Sequence, residues 1–156
     1  MSGETKDSPG VIAPPPLIVL GTLALALVLD AAWPAPLFGA VAQGVAGGVL
    51  FASGAALAAW CVARFRRAGT NVPTYRPTTA LVVEGAYRYS RNPIYVGLCL
   101  AYAGLAIMID SAWALGALAP LFVVLDVGVV AREEAYLEAK FGDAYRAYRA
   151  RVRRWL

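Results

Sequence analysis

The amino-acid sequence predicts an all-α integral membrane protein with four transmembrane helices, a cytoplasmic loop between the second and third helices, and amphipathic helices after the fourth. The first observation is the composition: the 156 residues are 60% apolar and only 15% charged, which leaves a water-soluble domain of this size with too little polar surface. The second is that the apolar residues form long runs, which meet or approach the roughly 20 residues of a spanning helix. The third is that the basic residues gather in the segments outside these runs.

The first half of the chain contains two of the apolar runs. Residues 1–16 are polar and rich in proline, and we predict that they form a flexible N-terminal segment. Residues 17–63 hold two apolar runs separated by a short turn at residues 34–36, which predicts the first two transmembrane helices. A signal peptide is the alternative for the first run. We favour a membrane helix because the run is long for a signal peptide and a second run follows almost at once.

The second half, residues 64–156, begins with a polar loop that contains six arginines together with glycines and prolines. Two apolar runs follow in residues 94–131, and a tight turn expected at Asp110 and Ser111 makes them a predicted helical hairpin. The tail after this hairpin is predicted to form amphipathic helices divided at Gly142, and these either lie on the membrane or pack on the protein.

The positions of the basic residues predict the orientation of the helices. One lysine, Lys6, precedes the first run, six arginines lie between the second and third runs, and seven lysines or arginines follow the fourth. Four spans place these three segments on one face of the membrane, and their basic character assigns that face to the cytoplasm. The protein is therefore predicted to be multi-pass, with both termini cytoplasmic.

Composition and spacing also bear on sites and partners. The sequence has no histidine, and Cys61 and Cys99 both fall in apolar runs, so we expect no metal site. The net charge of +4 is not carried by a basic tail or an RNA-binding motif, so no nucleic-acid partner is expected. Gly44 and Gly48 have the GxxxG spacing that lets helices approach closely, within the chain or in a homodimer.

A first candidate site lies where the loop enters the third run. Asn92 is expected to cap the coming helix and Pro93 to take its first position, which leaves free N–H groups beside Arg91 to bind a carboxylate. The alternative is an interfacial anchor, in which arginine and tyrosine lie at the level of the lipid headgroups. Seven residues of this stretch are candidates for binding: Gly85, Tyr87, Arg91, Asn92, Pro93, Tyr95 and Gly97.

A second candidate site lies at the cytoplasmic end of the fourth run, where Arg132, Glu133 and Glu134 are our candidates for catalysis. Two adjacent carboxylates at a membrane boundary can bind an ammonium group, hydrogen-bond a ribose or act as a base. Asp126 lies within the run and on nearly the same helical face as Glu133, so it is expected to point into the bundle. Its alternative role is to pair with an arginine of the loop.

These two segments resemble the isoprenylcysteine carboxyl methyltransferases and the related phospholipid methyltransferases of membranes. Residues 91–95 are similar to the family's signature of arginine, histidine or asparagine, proline, any residue and tyrosine. Residues 133–153 are similar to a second pattern that begins with two glutamates and continues through Phe-Gly and two tyrosines. The resemblance covers residues 64–154, and the first half of the chain, which shows no matching motif, is the part expected to vary with the methyl acceptor.

The resemblance implies a methyltransferase that uses S-adenosylmethionine and releases S-adenosylhomocysteine. It places the donor in a cytoplasm-facing pocket formed by the last two spans, the loop and the C-terminal helices. It also implies that the seven residues of the first segment bind the donor together with Glu133 and Glu134. Asn92 stands where the family frequently has histidine, which argues against proton transfer at this position.

The predicted function is methyl transfer to a lipophilic carboxylate, amine or thiol at the cytoplasmic membrane face. An amine acceptor would require deprotonation, for which Glu133, Glu134 or Asp126 is available. The alternative is a non-catalytic membrane module that binds anionic lipid or a partner protein through its arginines. That module would not explain the paired carboxylates on the basic face. A small transporter is less favoured, because the sequence shows no internal repeat.

Overall fold

The computed structural model of the protein describes residues 7–39, 41–72 and 75–156. The described residues form helices and connecting segments, and they contain no strand. The fold class predicted from the sequence, an all-α membrane protein, is therefore confirmed. Lys6 and the rest of residues 1–6, which the predicted orientation and N-terminal segment include, lie outside the described residues.

The described residues contain six α-helices, two π-helical turns and one short 3₁₀ turn at Gly85–Arg88. The first half contains α1 (Pro15–Ala32) and a π-helical turn (Ala42–Gly47) that runs directly into α2 (Gly48–Arg67). The second half contains α3 (Pro93–Met108), α4 (Ala112–Leu125), a π-helical turn (Asp126–Val130), α5 (Ala131–Phe141) and α6 (Asp143–Arg151). The turn at Asp126–Val130 joins α4 to α5, so these two helices form one continuous rod.

In the part of the chain that the structure describes, three helical segments are long and apolar enough to cross a membrane: Pro15–Ala32, Gln43–Arg67 and Ala112–Phe141. The fourth apolar helix, α3, has 16 residues. At roughly 1.5 Å per residue it is about 24 Å long, which is shorter than the hydrocarbon core of a bilayer. Seven of its residues are buried, so α3 lies largely within the bundle rather than against lipid.

Consecutive apolar helices run in opposite directions, which defines two ends of the bundle. The turn end carries the connections from α1 to α2 and from α3 to α4, and the loop end carries residues 68–92, α5 and α6. The predicted tight turn at the turn end is confirmed: Asp110 adopts a positive φ of 54°, and Ser111 caps α4 by accepting a hydrogen bond from the backbone of Ala114 at 3.2 Å. The Ser111 hydroxyl also donates to Asp30 at 2.9 Å.

Two boundaries differ from the sequence prediction. The connection after α1 is longer than residues 34–36, because the backbone N–H groups of Leu37 and Phe38 donate to the carboxylate of Asp110, at 2.8 and 2.7 Å, instead of starting a helix. The fourth apolar run ends at residue 131 as predicted, but the helix that contains it continues to the end of α5. There Gly142 adopts a φ of 52°, which few other residues tolerate, and ends the helix.

Close contact between α2 and α3 depends on glycines of both helices. A Cβ atom added at Gly54 would overlap the backbone of α3 next to Gly97, and one added at Gly104 would overlap the backbone of Phe51. At Gly47 an added Cβ would lie 2.7 Å from the side chain of Met108 and 3.0 Å from the carbonyl oxygen of Gly104. The two backbones therefore touch along the length of this helix pair.

The glycines that form this contact are not those of the GxxxG pair. A Cβ atom added at Gly44 or Gly48 would meet no heavy atom within 4 Å. Gly47 and Gly54, seven residues apart, lie on the same face of the helix and turn that face toward α3. The within-chain role predicted for Gly44 and Gly48 is therefore wrong, whereas a homodimer through these two glycines stays a prediction.

Candidate active site

A cavity lies at the loop end of the bundle, between the loop, the start of α3, α5 and α6. The space inside it, counted out to the open mouth, is about 800 Å³. Much of the wall is apolar, with side chains such as Leu81, Val82 and Leu137. Six of the predicted site residues line it: Tyr87, Arg91, Asn92, Tyr95, Glu133 and Glu134.

Asn92, just before α3, lines the cavity, but its side chain does not cap the helix as predicted. Pro93 takes the first helical position and Asn92 the capping position, but the Asn92 side chain makes no capping hydrogen bond. Instead its amide nitrogen donates to Glu134 at 3.4 Å and to the carbonyl oxygen of Arg154 at 3.1 Å. The predicted side-chain cap is therefore wrong, because two acceptors from other segments compete for the amide of Asn92.

Glu134 is the centre of a buried ion-pair network. Its side chain is only 7% exposed. One carboxylate oxygen accepts a hydrogen bond from Nε of Arg91 at 2.9 Å and lies 2.9 Å from Nη2 of the same arginine. The other oxygen accepts from Nη2 and Nε of Arg154 at 2.9 and 3.2 Å. Each guanidinium fork thus places two nitrogens on a single oxygen, and these charge-assisted contacts hold the carboxylate in position and neutralise it. Glu134 therefore joins α5 to the start of α3.

Arg91 is occupied by protein oxygens on all sides of its guanidinium. Beyond the two contacts with Glu134, its Nη1 donates to the carbonyl oxygens of Val152 at 2.7 Å and Arg149 at 3.3 Å. The sequence suggested that Arg91 would bind the carboxylate of a ligand. In the structure its nitrogens contact oxygens of the chain itself. Arg91 therefore holds Glu134 and the segment after α6 in position.

Glu133 has a different environment from its neighbour. Its carboxylate accepts one hydrogen bond, from the hydroxyl of the buried Tyr95 at 2.7 Å. Within residues 7–39, 41–72 and 75–156, no arginine or lysine pairs with it. The adjacent carboxyl groups thus have separate roles: Glu134 is neutralised by two arginines, and Glu133 presents a carboxyl group bound to Tyr95 to the cavity.

Three tyrosines line the cavity between the loop and α6: Tyr87, Tyr145 and Tyr148. The hydroxyl of Tyr148 donates to the backbone carbonyl of Tyr87 at 2.7 Å. Burial raises the pKa of Tyr145 to about 12 and raises the pKa values of Tyr87 and Tyr148 above the ordinary value of a phenol. All three are therefore protonated at neutral pH. The Tyr145 hydroxyl is buried and has no hydrogen-bond partner in the described part of the chain, which leaves a donor at the cavity wall.

Replacing Tyr148 with phenylalanine is expected to lower the free energy of unfolding by about 1–3 kcal/mol, because the buried carbonyl of Tyr87 then lacks a partner. Equilibrium unfolding in detergent measures this change. Tyr89→Phe is the matched control, since the side chain of Tyr89 is 77% exposed. Equal stabilities for the two variants would show that the hydrogen bond between Tyr148 and Tyr87 does not hold α6 to the loop.

Four of the predicted site residues do not line the cavity. Arg132 points away from it, and its Nη1 donates to the carbonyl oxygen of Gly10 at 2.9 Å. Gly97 serves the contact between α2 and α3, and Pro93 is buried at the first position of α3. Gly85 adopts a φ of 66°, which gives it a role in the shape of the loop. The structure therefore does not bring these four residues together with the two carboxylates.

The described part of the N-terminal segment is bound to the protein and is not a free lead-in. Asp7 accepts from the hydroxyl of Tyr136 and from Nζ of Lys140, both at 2.7 Å. The N–H of Ile12 donates to the carbonyl oxygen of Gly128 at 3.2 Å, and Pro9 lines the cavity. Residues 7–12 therefore cover one side of the site, a role that the polar composition of this segment did not indicate.

Arg154 is the main functional residue that the sequence analysis missed. Asp126 points into the bundle as expected, but its partners are Arg154 at 3.4 Å and the indole nitrogen of Trp155 at 3.1 Å. The arginine expected to pair with Asp126 was one of the loop. The tandem Arg153 and Arg154 gave a partial signal, because an acidic residue inside a span requires a basic partner.

Comparison with known proteins identifies a family for the chain. The model of the phospholipid methyltransferase family matches residues 42–144, which is more than half of the chain and includes the start of α3 and all of α5. An uncharacterized protein of Haemophilus influenzae is 41% identical over 63 residues, which make up 40% of this chain and 79% of that protein. No solved structure matches the chain. The chain belongs to the phospholipid methyltransferase family and is a methyltransferase of membranes by that membership.

Proposed function

We propose that the protein is an S-adenosylmethionine-dependent methyltransferase that acts on a lipophilic carboxylate, amine or thiol at the cytoplasmic membrane face. In this proposal it is a multi-pass protein with both termini in the cytoplasm and with its cavity facing the same side. The observation that carries the proposal is Glu133, whose carboxyl group pairs with no cation among the described residues. It faces a cavity with largely apolar walls, in a member of a methyltransferase family.

The residues of the cavity fit the donor. S-adenosylmethionine carries an ammonium group, a carboxylate, a ribose and a sulfonium, together with a flat adenine ring. Glu133 offers an anion for the ammonium group or hydrogen-bond acceptors for the ribose hydroxyls. The hydroxyl of Tyr145 offers a buried donor, and Leu81, Val82 and Leu137 offer apolar surface for a ring or a lipid tail.

The residues of the cavity position the reactants and exclude water from them. When bound, S-adenosylmethionine supplies an electrophilic methyl group, and no covalent help from the protein is needed. Tyr95 holds the carboxylate of Glu133 in one orientation, and the ion pairs of Glu134 fix the adjacent turn of α5. The apolar wall excludes water from the acceptor, which increases the reactivity of its nucleophilic atom. For an amine acceptor, Glu133 is the group in the cavity that can take the proton.

Glu133→Gln is expected to weaken the binding of S-adenosylhomocysteine by roughly 10- to 100-fold, the effect of losing a hydrogen bond to a charged group. The amide keeps the size of the side chain and loses its charge. Titration calorimetry on protein in nanodiscs measures the affinity. Glu138→Gln is the matched control, because Glu138 lies on the same helix but pairs with Arg149 outside the cavity. Equal affinities for Glu133→Gln and wild type would remove Glu133 from the donor site.

A further inference from the structure

We infer that Asp126, Arg154 and Trp155 are positioning residues that hold the two walls of the donor site at a fixed separation, although none of the three lines the cavity. Arg154 and Trp155 belong to residues 152–155, which follow α6 and which we call the clamp segment. The clamp segment lies outside residues 42–144, the part of the chain that matches the family. The inference rests on the proposed function, because it concerns binding of the same donor.

The clamp segment is bound to the start of α3 through its backbone. The N–H of Arg91 donates to the carbonyl oxygen of Arg153 at 2.9 Å, and Nη1 of Arg91 donates to that of Val152 at 2.7 Å. The amide nitrogen of Asn92 donates to the carbonyl oxygen of Arg154 at 3.1 Å. Both residues of the loop that face Glu134 are therefore held by the clamp segment.

The same segment is bound to α4 and α5 through its side chains. Arg154 makes its forked contact with Glu134 and places Nη1 3.4 Å from the carboxylate of Asp126. Trp155 donates from its indole nitrogen to the same oxygen of Asp126 at 3.1 Å, and its ring centroid lies 4.7 Å from that of Phe122. The clamp segment therefore connects the two elements that carry the cavity residues.

The charges show why Asp126 matters to a site that it does not touch. Arg91, Glu134, Arg154 and Asp126 form a chain in which cations and anions alternate, so each carboxylate is neutralised. Without Asp126, the side chain of Arg154 loses its outer partner and is free to turn away from Glu134. Because Glu133 is the next residue on α5, a loosened Glu134 also changes the orientation of the carboxylate that faces the cavity. The effect is therefore expected in donor affinity.

Titration of S-adenosylhomocysteine into wild-type protein and three variants in nanodiscs tests the inference. Arg154→Met is expected to weaken binding roughly tenfold or more, and Arg154→Lys, which keeps the charge but not the forked geometry, by less. Asp126→Asn is expected to weaken binding roughly three- to tenfold. Arg151→Met is the matched control, because this exposed side chain bonds, among the described residues, only to the carbonyl oxygen of Ala147 in its own helix. Circular dichroism and thermal unfolding establish that each protein is folded.

The double variant Asp126→Asn/Arg154→Met separates a positioning role from a general loss of stability. If Asp126 acts through Arg154, the double variant binds no more weakly than Arg154→Met alone, whereas independent effects multiply. Multiplying effects, or unchanged affinity in the folded single variants, would overturn the inference and leave the proposed function standing. If the folded wild-type protein does not bind S-adenosylhomocysteine, the proposed function fails and the inference fails with it. Asp126→Asn provides the test if Arg154→Met does not fold.

Discussion

Replacing Glu134 with glutamine is expected to lower the affinity for S-adenosylhomocysteine by roughly 100-fold or more, the largest effect of any single change in the cavity. Glu134 is the shared anion of Arg91 and Arg154. A neutral amide leaves two guanidinium groups facing each other across a site where Arg91 is only 11% exposed. Removing one partner of such a buried pair typically costs about 3–5 kcal/mol.

The loss at Glu134 should appear in binding and in stability together. Repulsion between the two arginines moves the clamp segment and the start of α3 apart, and this separates the walls of the cavity. Calorimetry and thermal unfolding of the same nanodisc sample measure both quantities. Glu134→Asp is an informative comparison, because it keeps the charge and shortens the reach, so it should lose less than the amide. An affinity of Glu134→Gln close to that of wild type would show that the ion-pair network does not shape the donor site.

Replacing Gly104 with alanine is expected to lower the free energy of unfolding by about 3 kcal/mol or more, at or beyond the upper end of typical overpacking costs. The added methyl group would overlap the backbone nitrogen of Phe51 and lie 2.7 Å from the carbonyl oxygen of Gly47. Both contacts are with backbone, so no side-chain rotation relieves them. The α2 and α3 helices must separate along their length.

The matched control for Gly104 is Gly48→Ala, where the added methyl group meets no heavy atom within 4 Å. Alanine favours helix over glycine by about 1 kcal/mol, so this variant should be as stable as wild type or slightly more stable. Equilibrium unfolding in mixed detergent micelles measures both variants. Equal losses at Gly48 and Gly104 would contradict the assignment of the helix contact to the face that carries Gly47 and Gly54.

The sequence indicated the helices and the composition of the site because both depend on local patterns. Long apolar runs identify α1, α2, α3 and α4 without knowledge of their neighbours. The start of α3 and the paired glutamates of α5 are short segments with their own chemistry. Five of the six predicted residues that line the cavity come from these two segments, and Tyr87 comes from the loop just before α3.

The features that were missed depend on contacts between distant parts of the chain. The turn after α1 has its length because Asp110, more than seventy residues later, binds the N–H groups of Leu37 and Phe38. GxxxG spacing identifies a surface suited to close packing but does not say which face of α2 meets α3. Likewise, Arg154 follows Glu134 by twenty residues and reaches it only because Gly142 reverses the direction of the chain between α5 and α6.

The alternative function is a non-catalytic membrane module that binds anionic lipid through its arginines. It would require different residues around the cavity. It requires exposed basic residues and gives no role to a carboxylate that faces an interior space. In the structure, Arg91 is bound by protein oxygens, and Glu133 presents its carboxyl group to the cavity. The arrangement at the site thus supports a ligand with a cationic or hydrogen-bonding group over an anionic headgroup.

The most direct test of the central claim is titration of S-adenosylhomocysteine into the wild-type protein, purified and reconstituted in nanodiscs, by calorimetry. The proposed function predicts saturable binding at one site per chain, and it predicts that the affinity falls in Glu133→Gln but not in Glu138→Gln. Absence of binding to wild-type protein shown to be folded and monodisperse would contradict the claim, and it would favour the non-catalytic membrane module.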